Sequence, residues 1–71
     1  MKNSPFTRFV ESVGGDDAAA VLLGISNHTV SAYRRGVRGV SLDIARDVER
    51  LSRGAISRVA VLYPDEAEKV A

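Results

Sequence analysis

Seventy-one residues, with no cysteine and one histidine, allow a single small domain and exclude disulfides and cysteine-bound zinc. The lone histidine argues against a histidine-built metal site as well. The net charge of +1 conceals a division. Between Ser26 and Arg58 stand seven arginines against Asp43, Asp47 and Glu49. The flanks carry Lys2, Arg8 and Lys69 against Glu11, Asp16, Asp17, Asp65, Glu66 and Glu68. Positive charge gathered in the middle is what a polyanion-binding surface requires. Arg46, Arg50 and Arg53 can equally be the solvated outer face of a helix.

The core must come from the 45% of residues that are apolar, and association would add to so small a core. No apolar run approaches a membrane span, and the N-terminus has no apolar leader region. The expectation is a soluble cytoplasmic protein, nucleoid-associated if it meets DNA.

Met1 to Asn3 read as a frayed end. Ser4-Pro5 starts a helix, with serine as cap and proline at the first helical position. Phe6, Phe9, Val10 and Val13 then recur at i, i+3, i+4 and i+7, an amphipathic stripe, and Gly14-Gly15 ends it. Asp16 and Asp17 open a second helix, where carboxylates suit the positive end of the dipole. Ala19, Ala20 and Leu23 face inward, Ala20 where two helices cross closely. Gly24 supplies a left-handed turn residue, Ile25 an apolar plug and Ser26 an N-cap. From Asn27 to Arg35 the inward positions are Val30 and Tyr33. Residues 16–35 are thus a helix-turn-helix unit whose second helix is polar and basic on its free face.

Gly36 to Val40 reads as a loop. Ser41 caps a further helix, Leu42 to about Arg53, with Leu42, Ile44, Ala45, Val48 and Leu51 inward and Gly54 closing it. Ala55 to Tyr63 is ambiguous. Its β-branched residues favour a strand, whereas Ser57 can cap a short helix with Val59 and Leu62 or Tyr63 on its apolar side. Pro64 stops either one, and 65–71 reads as a polar flexible tail. The expected architecture is all-α, one domain over 1–64 with four to five helices, its C-terminal element open between helix and strand.

The stretch GGDDAAAVLLGISNHTVSAYRRG, Gly14 to Gly36, resembles the helix-turn-helix of phage Cro-type repressors and of the related YdaS-like antitoxin regulators. These share the Gly-Gly pair, the alanine-rich helix, the Gly-Ile/Val-Ser turn and the aromatic-x-Arg-Gly ending. Looser likeness runs through Ser41 to Pro64. The resemblance implies a lambda-repressor/Cro-like fold and a homodimeric repressor of transcription. Such a protein binds a pseudo-palindromic double-stranded DNA operator, with the helix of about 26–35 in the major groove. Carried over by position, Asn27, His28, Ser31, Ala32 and Arg35 face the bases. The chemistry suits that role: asparagine pairs with adenine, histidine donates to guanine, arginine reaches guanine or phosphate, and Ala32 meets a thymine methyl. Ser26, Thr29, Tyr33, Arg34 and Arg38 go to phosphate, Thr29 also offering a methyl to thymine.

One position departs from the pattern. Relatives often begin the second helix with glutamine or threonine against a phosphate. Here Asp16 and Asp17 would repel it, so they are expected to act as caps and leave phosphate to backbone N–H groups or Arg38. Val59, Val61, Leu62 and Tyr63 are expected at the dimer contact. The rival reading, an antitoxin-type regulator working through a toxin partner, would put that partner on the same surface. No catalytic triad, metal set or phosphate loop is present, so neither an enzyme nor a cofactor is expected.

Overall fold

The computed structural model describes residues Ser4 to Tyr63. The expectations of a frayed start at 1–3, of Pro64 as a stop and of a tail over 65–71 lie outside the described residues. Among the described residues there are five helices and no strand: α1 (Pro5–Ser12), α2 (Asp16–Leu23), α3 (Asn27–Arg35), α4 (Leu42–Leu51) and α5 (Arg58–Leu62).

Four of the five start on serine. Ser4, Ser26, Ser41 and Ser57 each take an extended backbone and accept an N–H from the first turn of the following helix. Each bond satisfies one of the donors a helix start leaves without a partner. Only α2 begins without a side-chain cap; Gly15 precedes it, at φ 116°. The short connections depend on glycine where the chain must turn left-handed. Gly24 (φ 69°) closes α2, and its N–H and that of Ile25 return to Val21 and Ala20 carbonyls. Gly36 (φ 73°) closes α3 in the same manner.

Phe6, Phe9 and Val10 of α1 enter the core as the stripe requires, with Phe9 wholly inaccessible. They meet Ala19, Ala20 and Leu23 of α2, Val30 of α3, and Ile44, Ala45 and Val48 of α4. Alanine at two of the inward positions of α2 keeps the layer thin, so α1, α3 and α4 can all lie against it. Ile56 and Val61 complete the cluster from the far end of the chain.

Two points on α4 differ from the sequence reading. Helix α4 ends at Leu51 rather than near Arg53, because Arg53 itself is left-handed (φ 55°) and the Gly54 N–H returns to the Glu49 carbonyl at 2.9 Å. Leu42 is exposed rather than inward. The buried side of α4 is defined by Ile44, Ala45 and Val48, and Leu42 lies roughly 110° round the helix from its centre at 100° per residue. The ambiguous C-terminal element is a helix. The Ser57 hydroxyl accepts from Ala60 N–H at 3.1 Å, and one turn of helix suffices to bury Val61 and lay Leu62 against the core. A strand there would need a partner strand, and the described residues offer none.

Candidate nucleic-acid interface

The site is built on α3 and the loop after it. Val30, fully buried, fixes the inner side of the helix. Tyr33 is half-buried, its ring edge-on to Phe6 with centroids 5.3 Å apart and planes at 84°, a favoured aromatic geometry. Because the back of α3 is held, its free face has a set direction. Asn27, His28 and Arg35 are exposed, and Ser31 and Ala32 are partly so. At 100° per residue these five positions fall within an arc of roughly 140°. Along the helix axis, small side chains in the middle and longer ones at the ends make a surface that fits close to another molecule.

The phosphate candidates are arranged around that face. Arg34 and Arg35 occupy the last turn of α3, and Arg38 follows in the exposed loop. Tyr33 is committed to packing as well as reaching the rim of a groove with Arg34, Arg35 and Arg38. Ser26 and Thr29 are engaged with one another. The Ser26 hydroxyl accepts from Thr29 N–H at 3.2 Å and lies 3.0 Å from Thr29 Oγ1. Their first role is therefore capping α3.

The structure also reveals two contacts that the sequence reading did not contain. Asn27 Nδ2 donates to the Asp17 carboxylate. Two turns further along α3, Arg34 pairs with Asp16 at 2.8 Å. Asp16 and Asp17 are thus more than an N-terminal charge on α2; they reach across to two side chains of α3. Adjacent residues on α2 can do so because Asn27 and Arg34 are seven apart and lie along one side of α3. A pattern that could have revealed the link is an acidic pair at the start of α2 facing an amide and an arginine on α3 at that spacing. Each contact occupies a side-chain donor of α3.

Arg46 and Arg50 of α4 and Arg53 just after it are exposed, and Arg50 pairs with Asp47 on its own helix at 3.2 Å. This is the solvated-face reading. Of the four residues expected at a dimer contact, Val61 is 4% exposed and Leu62 packs against the core, so both serve the monomer's own interior. Val59 and Tyr63 are the two left open, each more than half exposed. The apolar surplus of 59–63 arises because a five-residue helix must supply core on one side.

With this geometry in view, the comparison with known families decides the kinship. The family described as Bacterial toxin YdaS matches residues 6–70. The chain belongs to it. No curated protein and no solved structure matches. The YdaS match takes in residues of all five helices. Nothing in it reaches specifically to the Cro-type repressors. Among its described residues this YdaS-family chain has no helix long and apolar enough to cross a membrane. Nor, among the same residues, is there a group of three or more histidines, aspartates or glutamates set to hold a metal ion.

Proposed function

We propose that this YdaS-family chain is a sequence-specific DNA-binding repressor of the Cro type, not an enzyme. It acts in the cytoplasm as a homodimer on a pseudo-palindromic operator. The observation that carries the reading is the free face of α3. Asn27, His28, Ser31, Ala32 and Arg35 share one arc, the back of the helix is locked by Val30 and Tyr33, and three arginines cluster at its end. That is the layout of a helix laid in the major groove, with base-edge contacts along it and phosphate contacts around it. Asn27 retains its oxygen and one N–H beside the bond to Asp17, enough for the two-point recognition of adenine. Dimerisation would place two such helices about 34 Å apart on one face of B-DNA, with Val59 and Tyr63 the part of the expected contact surface still open.

Selection of bound duplexes from a random pool at about 150 mM salt, near physiological ionic strength, tests it. An enriched pseudo-palindrome with half-sites one turn apart supports the reading. No enrichment, with binding that disappears as salt rises, leaves only charge attraction and defeats it.

A second reading is favoured by the family's description as a toxin. There the chain acts chiefly through a protein partner of a toxin–antitoxin pair, with DNA binding an autoregulatory accessory. Co-purification of a stoichiometric partner from the native host would separate the two readings.

A further inference from the structure

A groove of about 370 Å³ runs between the start of α1, the end of α3, the following loop and α5. Phe6, Val61 and Leu62 line it, and so do the three arginines Arg34, Arg35 and Arg38. Arg34 already has Asp16. Among the described residues, Arg35 and Arg38 make no ion pair. An apolar cleft edged by three cations fits a peptide segment that combines small or apolar residues with several carboxylates.

The sequence holds such a segment directly after the residues that line the groove. Leu62 lines the groove, and the sequence continues from Tyr63 as Pro-Asp-Glu-Ala-Glu, with Asp65, Glu66 and Glu68 as its carboxylates. Two to five extended residues reach roughly 7–18 Å beyond Tyr63, enough to span a groove that already contains Leu62. We propose that residues 64–68 dock intramolecularly in this groove, with their carboxylates against Arg35 and Arg38. Tethering makes the encounter intramolecular, so weak individual pairs suffice for substantial occupancy. The fixed φ of a proline at 64 limits the entropy lost on docking. The docked segment stands in for a nucleic-acid phosphate backbone at the same arginines. It would thus act as a built-in competitor for whatever polyanion the surface binds. The docking itself does not depend on the DNA reading.

The absence of cysteine makes the test direct. In the full chain, Ala67→Cys gives a single site for a nitroxide label, and the amide signals of Gly36, Arg38 and Gly39 are followed by NMR. Docking predicts strong broadening at these three. It should be relieved in the same labelled chain carrying Asp65→Asn, Glu66→Gln and Glu68→Gln, relieved in Arg35→Gln/Arg38→Gln, and relieved at 1 M salt, where the Debye length is about 3 Å. Broadening that is weak, or that is the same with and without the carboxylates, overturns the proposal. The neutralised chain should also bind any duplex several-fold more tightly at low salt, with the advantage shrinking as salt rises. If wild type and neutralised chains both fail to bind DNA while the charge-dependent broadening is present, the DNA reading falls and the docking stands. If a selected operator is bound but the broadening does not depend on charge, the docking falls and the DNA reading stands.

Discussion

Asp16→Ala is the substitution whose effect on DNA binding follows most directly from the geometry. The Asp16–Arg34 pair is short, 2.8 Å, yet about a third of each side chain is exposed, so it belongs with surface ion pairs worth roughly 0.2–1 kcal/mol. While the pair persists Arg34 is kept from a phosphate, and removing the carboxylate frees it, a gain on the scale of the pair's own strength, up to about fivefold in affinity. The lost negative charge adds a smaller gain. At a separation near 8 Å in water, one carboxylate and one phosphate repel by about 0.5 kcal/mol before screening. Freeing Arg34 also adds a phosphate contact, so the slope of log K against log salt should steepen by roughly 0.9. Fluorescence anisotropy with a labelled duplex, titrated between about 50 and 300 mM salt, reads both quantities. The double-mutant cycle supplies the control: in an Arg34→Ala background, Asp16→Ala should lose most of its effect. An unchanged slope, or an equal gain with Arg34 absent, would refute the argument that the pair holds this arginine in reserve. Stability should move the other way. Asp16 also sits in the first turn of α2, and losing that favourable dipole interaction costs roughly 0.3–1 kcal/mol, a few degrees in Tm for a domain of this size.

Asn27→Ala should relax preference at one base pair at a cost of about 1–3 kcal/mol, which a repeat of the duplex selection would register; a uniform loss across all sequences would remove it from base reading. Gly24→Ala meets no steric obstacle, since nothing lies within 4 Å of the position the added methyl would take, but its φ of 69° costs an L-residue about 1–2 kcal/mol. Urea denaturation measures that cost, and an unchanged midpoint would mean the turn relaxes freely. Val61→Asp, which buries a carboxylate in the core, should unfold the chain by circular dichroism. Val59→Asp, on exposed surface, should leave the fold intact and reports on association by sedimentation. If Val61→Asp instead stayed folded, the placement of α5 would be wrong.

Most of the fold was legible because local signals agreed with one another. Serine caps marked the starts of α1, α3 and α4, glycines marked the turns, and the i, i+3, i+4 stripe of α1 named its own core residues. The short α5 was not legible because five residues hold too little periodicity to outweigh β-branched composition. Only its tertiary burial decides the matter. Leu42 misled for a related reason: spacing in threes drifts round a helix of 3.6 residues per turn, so a residue at the end of such a series leaves the buried side. At the site, the exposed face of α3 could be read from its pattern. The Asp17–Asn27 and Asp16–Arg34 contacts could not, since they depend on the crossing of α2 and α3. The four-residue apolar surface at 59–63 divided once Val61 and Leu62 were seen to belong to the interior.

The charge arrangement bears on how such a chain would act in a cell. The arginines that suit DNA are contested by carboxylates from the same chain, Asp16 within the helix-turn-helix unit and, on the proposal above, the acidic residues after Tyr63. A binding face held in this manner favours sites that return extra base contacts, because non-specific DNA offers only the phosphate attraction that the internal carboxylates offset. Internal competition therefore lowers affinity for all DNA by a common factor and leaves the ratio of specific to non-specific binding to the base contacts. It also makes occupancy steeply dependent on the amount of protein when the binding species is a dimer. A repressor of the proposed kind would be quiet at low abundance and, in excess, would hold promoters closed across its sites. That behaviour would join a DNA-binding role to a family described as a toxin. The link is testable by overexpression: growth arrest that Asn27→Ala and Arg35→Ala abolish would require DNA reading for toxicity, whereas arrest that survives both would assign toxicity to a surface other than α3.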